Sequence, residues 1–180
     1  KISKALKWTI SMSLVTIVLI AILSMLLAFT KVYFINSLFD RISSAILYIL
    51  LAVPTFWLAS LLVVFFTTPE YGAWTDWFPS IGLKPSFVER SFLSELFDNI
   101  GQLVLPIICM SVLSMSYLTI QLRSDILETF SKPYMMMAKA KGLTEREVLK
   151  RHAIPNALIP YATILTGAIP GIFAGSVIIE

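Results

Sequence analysis

His152, Cys109 and Ser176 are the residues whose types alone could do metal or covalent chemistry. A zinc centre needs about four Cys, His or carboxylate ligands, and the sequence offers one cysteine and one histidine. Cys109 has no partner for an internal disulfide and reads as a small apolar packing residue. Ser176 and His152 would be the nucleophile and base of an intramembrane serine protease. Gly175-Ser176-Val177-Ile178 lacks a glycine after the serine, and both residues border one apolar run. Along a helix ~24 residues separate them by ~36 Å, too far for a nucleophile–base pair. His152 reads instead as a cation at a helix end, so the chain is expected to be no enzyme.

A denser pattern begins at Ser131 and runs to Asn156. Pro133 can open a helix, because an N1 residue has no amide partner to lose. Met135 to Lys141 are good helix formers, and Gly142 suits the left-handed position that ends a helix. Thr144 and Glu147 have capping-box spacing and start a second helix. Lys150, Arg151 and His152 fall in its last turn, where the helix dipole favours cations, and Pro155 is expected to mark its boundary. The segment therefore reads as two short helices at an angle. The first presents Tyr134, Met137, Ala138 and Lys141 at helical spacing, an apolar patch with a basic edge. Caps and a patch of adaptable methionines suit a rigid lever docked into another protein.

What must position this lever is a set of membrane spans. The 180 residues are 57% hydrophobic and 14% charged, against about 25% charge in soluble domains. Uncharged runs of 23, 28, 24 and 27 residues lie between Lys7 and Lys31, Arg41 and Glu70, Asp98 and Arg123, and His152 and Glu180. Each exceeds the ~20 residues a helix needs to cross a bilayer, and none alternates with the period of a barrel strand. An all-α polytopic bundle with about four spans follows. Pro54 and Pro106 predict kinks in spans two and three. Gly167, Gly171 and Gly175 recur on one face of span four. That thin face suits close helix packing or a translocation path. No Asp, Glu, Lys or Arg lies within a run, which argues against a proton-coupled secondary transporter.

Lys and Arg counts set the orientation. Placing the first and third connections in the cytoplasm puts nine basic residues inside and five outside. The connection over about 68–102 is then extracytoplasmic, acidic on balance, and carries Trp74 and Trp77 as interfacial residues. Lys1, Lys4 and Lys7 before an apolar run imitate a signal peptide, but the run is too long and lacks a small-residue cleavage site. The chain is expected to be an excerpt incomplete at both ends, with one span before it and one after.

Ala138-Lys139-Ala140-Lys141-Gly142-Leu143, Arg151-His152-Ala153 and Asn156-Ala157-Leu158-Ile159-Pro160 resemble the signature loop of binding-protein-dependent ABC importer permeases. The flavour is that of the oligopeptide, dipeptide and nickel subfamily. Val53-Pro54-Thr55-Phe56-Trp57-Leu58 is similar to that subfamily's Pro-Ser-Phe-Trp stretch, and Gly175-Ser176-Val177-Ile178-Ile179-Glu180 to its fifth-helix ending. Aligned on Gly142, the family's glutamate falls on Met136, its first alanine on Met137 and its second on Ala138. The resemblance implies a type I importer permease domain over residues 1–180, in a bacterial inner membrane, moving peptides or related solutes. It implies a coupling loop over about 131–156, with Tyr134, Met137, Ala138, Lys141, Gly142, Leu143 and His152 against a cytoplasmic ATPase. ATP and Mg would be used by that partner, and this chain would bind no cofactor. The further partners implied are a second permease subunit, an extracytoplasmic substrate-binding protein and the lipid bilayer, with no nucleic acid. The competing class is a channel or scaffold subunit that needs no ATP.

Overall fold

The structure is a computed structural model that describes residues 2–67, 77–78 and 92–179. Its first helix, α1 (Ile2–Tyr33), contains neither glycine nor proline and at ~1.5 Å per residue reaches ~48 Å. Its two sides are sorted by size and polarity. Leu14, Val18, Ile22 and Leu26 are exposed, whereas Ser13, Thr16, Ile20, Ser24 and Ala28 are fully buried. Bulky hydrocarbon outward and small or hydroxyl side chains inward is the arrangement that hydrocarbon solvent favours, because thin inner faces let helices approach closely.

The inner face of α1 lies along α5 (Ile100–Phe130), and the two helices are parallel. Trp8 meets Phe92, just before α5, with ring centroids 5.4 Å apart. At the other end Lys31 and Arg123 share one carboxylate. Pro106 lies near the start of α5 without ending it. Next in the chain, α2 (Leu38–Ala52) runs back along α5, from Asp40 beside Arg123 to the Thr55 carbonyl, which accepts a 3.6 Å contact from the buried Cys109 thiol. α3 (Thr55–Thr67) then departs at 102°. The cause is local. Val53, preceding a proline, is pushed out of the α region to φ −81°, ψ 125°. The Pro54 carbonyl then accepts from Trp57 and Leu58 and opens a new helix.

The second charge-free run is thus a broken pair of helices and not one kinked span. Among the described residues two helices are long and apolar enough to cross a membrane, and three if the bent pair counts as one. The fourth run forms α8 (Ile154–Ile179), which rises antiparallel to α1. Ser24 and Tyr161 face each other at 2.7 Å, and the Tyr161 hydroxyl also reaches the Ala21 carbonyl at 3.2 Å. In the connection over about 68–102, α4 (Phe92–Asp98) is described, and Trp77 tilts against Phe66. Trp74 lies outside the described residues.

Candidate functional site

α5 does not stop where the apolar run stops. It continues seven residues past Arg123, so membrane rod and polar extension form one helix ending at Phe130. Ser131 and Lys132 turn the chain, and Pro133 occupies the first turn of α6 (Pro133–Ala140). The exit from α6 is a Schellman closure. Gly142 adopts φ +89°, its amide donates to the Lys139 carbonyl, and the Leu143 amide donates to the Ala138 carbonyl. Thr144 then opens α7 (Glu145–Val148) with both halves of the capping box. Its amide donates to Glu147 Oε2 at 2.9 Å, and the Glu147 amide donates to Thr144 Oγ1 at 3.3 Å. The amide and hydroxyl of Thr144 hold the exposed Glu147 carboxyl below its usual range.

Lys139 fastens the elbow across its bend. Its ammonium donates to Glu145 Oε1 at 2.7 Å and lies 4.4 Å from the centre of the Phe130 ring, a cation–π contact. The bond from Lys139 holds the Glu145 carboxyl low as well. From inside, Met135 and Val148 are fully buried in the cluster that includes Ile126, Leu149, Ala153 and Ala157. A cavity of about 240 Å³ remains where the ends of α1, α5 and α7 meet, lined by Val32, Leu127, Phe130, Arg146 and Leu149 among others.

The outer surface is apolar. Tyr134, Met136 and Met137 are 45%, 70% and 64% exposed, with exposed Lys141 beside them. Ala138 and Leu143 instead pack partly against the core, and His152 is half-buried, its carbonyl accepting from Asn156. The predicted patch therefore loses Ala138 and gains Met136, which projects beside Met137. The predicted second short helix is not separate. Leu149–Ala153 form a π turn that runs directly into α8. Pro155 marks no boundary, because the widened turn before it removes the i−4 pairing its missing amide would have made.

Of the glycine face, Gly167 is exposed, and a Cβ added there would meet nothing within 4 Å. Gly171 and Gly175 lie in α8, with surroundings outside the described residues.

A second feature escaped the sequence reading. Lys31 is wholly buried. Its ammonium lies 3.1 Å from Asp40 Oδ1 and donates to the Asp40 carbonyl (2.9 Å) and to the hydroxyls of Ser43 and Ser44 (2.7 Å each). Arg123 grips the same carboxylate with two bonds, Nε to Oδ1 at 3.0 Å and Nη2 to Oδ2 at 2.6 Å. The Asn36 amide adds a fourth donor at 3.2 Å. The available signal was that Asp40 is the single acid between Lys31 and Arg41, bordering two runs whose ends are basic.

Comparison with known proteins gives this geometry a context. The family described as binding-protein-dependent transport system inner membrane component matches residues 20–180. The inner membrane ABC transporter permease protein YejB of Escherichia coli O157:H7 is 31% identical over 181 residues, covering 99% of this chain and 49% of the relative. The peptidoglycan transport system permease protein YejB of Agrobacterium fabrum is 35% identical over 147 residues, covering 81% and 40%. The oligopeptide transport system permease protein AppB of Bacillus subtilis is 34% identical over 130 residues, covering 72% and 38%. The chain spans about half the length, or less, of the curated relatives it matches. On the extent of the family match, the chain belongs to the inner membrane components of binding-protein-dependent transport systems.

Proposed function

We propose that this chain is the membrane-spanning part of a permease in an ATP-driven importer of peptides or related solutes, and that the 131–156 elbow is its contact with a cytoplasmic ATPase. The observation that carries the reading is the pairing of a braced interior with an apolar exterior. A Schellman closure, the Thr144–Glu147 capping box and the Lys139 contacts fix the elbow on the end of α5, while Tyr134, Met136 and Met137 are exposed at its tip. Exposed apolar side chains on a stiff support mark an interaction surface, and methionine adapts well to a partner's groove.

In this reading ATP and Mg are handled by the partner, and α5 carries the ATPase's motion into the membrane as a rigid rod. α1, the bent α2–α3 pair, α5 and α8 make four crossings of a bacterial inner membrane. A second permease subunit completes the path, and an external binding protein delivers cargo to the 68–102 side. The open face at Gly167 supports assigning Gly167, Gly171 and Gly175 to the path. The names of the relatives, which speak of oligopeptide and peptidoglycan transport, support the cargo class.

The test is co-purification of the ATPase with the full-length permease. Met137→Asp alters an exposed side chain and leaves the folded interior alone, so it should abolish ATPase capture without lowering membrane yield. Gly142→Asp, which strains the elbow itself, should abolish it too. Capture and transport unchanged in both variants would favour the ATP-independent channel or scaffold.

A further inference from the structure

The three charged side chains at the foot of α1 are not equivalent. Lys31 and Asp40 form a neutral pair inside one connection, and the ammonium is satisfied by three further oxygens. Arg123 is the surplus charge. It comes from another helix, 83 residues away in sequence, and its side chain is 25% exposed where that of Lys31 is 0%.

We infer that the Arg123–Asp40 contact is the breakable half of a clasp between the α1–α2 turn and α5, opening and closing as the elbow moves, with Arg123 a positioning residue for transport. The inference rests on the proposed ATPase contact. Separating a buried ion pair is costly when it strands a charge. Here departure of Arg123 strands none, because Asp40 keeps Lys31 and the Asn36 amide, and the Arg123 side chain is already a quarter exposed. The lever is short and stiff. From Arg123 to Phe130 α5 contains no glycine or proline, so ~10 Å of unbroken helix joins the clasp to the base of the elbow. The two-pronged grip also gives the closed state a defined register, which a lysine could not reproduce.

Arg123→Gln is the informative variant, because it leaves the Lys31–Asp40 pair intact; Asp40→Asn would strand the wholly buried Lys31 and damage folding. In the full-length assembled transporter, with Cys109 replaced by alanine, spin labels at the exposed positions of Arg41 and Ser124 would report the gap. The expected result is a close population in the nucleotide-free state that shrinks on trapping with ATP and vanadate. Arg123→Gln should shift labels to the far population without nucleotide and lower solute moved per ATP at least about fivefold, with Arg123→Lys intermediate in both. Wild-type distances and stoichiometry in Arg123→Gln would overturn the clasp. If Arg123→Gln opens the gap while nucleotide never does, the contact is a fixed tie and the clasp is overturned, and ATPase capture by the Met137→Asp variant still decides the elbow contact separately. If nucleotide moves the gap and Arg123→Gln does not, the elbow transmits the ATPase's motion and the clasp is overturned.

Discussion

Gly142 and Thr144 together decide whether the elbow has a fixed angle. Gly142 sits at φ +89° with open space where a Cβ would go, so any side chain there meets backbone strain and no collision. Gly142→Ala should therefore cost about 1–2 kcal/mol, read as a lower melting temperature of the detergent-solubilised protein, and Gly142→Asn should cost less. Thr144→Ala removes the cap to the Glu147 amide and should cost about 1 kcal/mol. Faster hydrogen exchange at Glu147 and Val148, restored by Thr144→Ser, would report it. The sign of the pH dependence follows from the Glu147 carboxyl, which is held below its usual range by Thr144. The folded elbow binds fewer protons than the unfolded one, so its support is present above the ordinary carboxylate pKa of about 4.3. It is lost as pH falls through the lower, folded value. Protection of the α7 amides, relative to their intrinsic exchange at each pH, should fall in that acidic window, and Glu147→Gln should flatten the change.

The helices show which sequence signals were sufficient and which were not. Length and apolarity located α1 and α5, and punctuation located α6: Pro133 at its start and Gly142 at its close stand where their backbone chemistry requires. The three prolines had three outcomes, because the effect of a proline depends on its neighbours. Pro106 is absorbed by α5, Pro54 breaks a span through 102° once Val53 turns extended, and Pro155 is masked by a π turn. A lone acid among basic residues only hinted at the Asp40 cluster, because Arg123 reaches it only when α2 folds back along α5. A π turn holds one residue more than an α turn, which makes a specific prediction. Deleting the exposed Lys150 should restore regular α-helix and keep the flanking faces in register, preserving the Ser24–Tyr161 contact and the melting temperature. Deleting Ala162 instead should rotate the following face of α8 by about 100° and destabilise the bundle. If the π turn is a working hinge, transport falls in the Lys150 deletion despite normal stability. A transport rate equal to wild type would make it a packing accident.

Sidedness follows for the molecule as a whole, because parallel α1 and α5 must end on the same face. Lys31 and Arg123 meet around one carboxylate, and the elbow stands on that same end of α5. The first and third connections, whose nine basic residues set the orientation in sequence, thus share one side, while α4 sits at the other end of a 31-residue rod. At ~1.5 Å per residue that rod measures ~46 Å, more than the ~30 Å hydrocarbon layer, so both ends must reach water. Cysteines placed at the exposed positions of Phe97 and Met137, in a Cys109→Ala background, therefore belong to opposite compartments. A membrane-impermeant maleimide added to intact spheroplasts should label position 97 and leave 137 untouched until the membrane is opened. Labelling of 137 from outside would turn the whole bundle over. It would put Tyr134, Met136 and Met137 where no nucleotide is available, and the exposed apolar tip of α6 would then need a different partner.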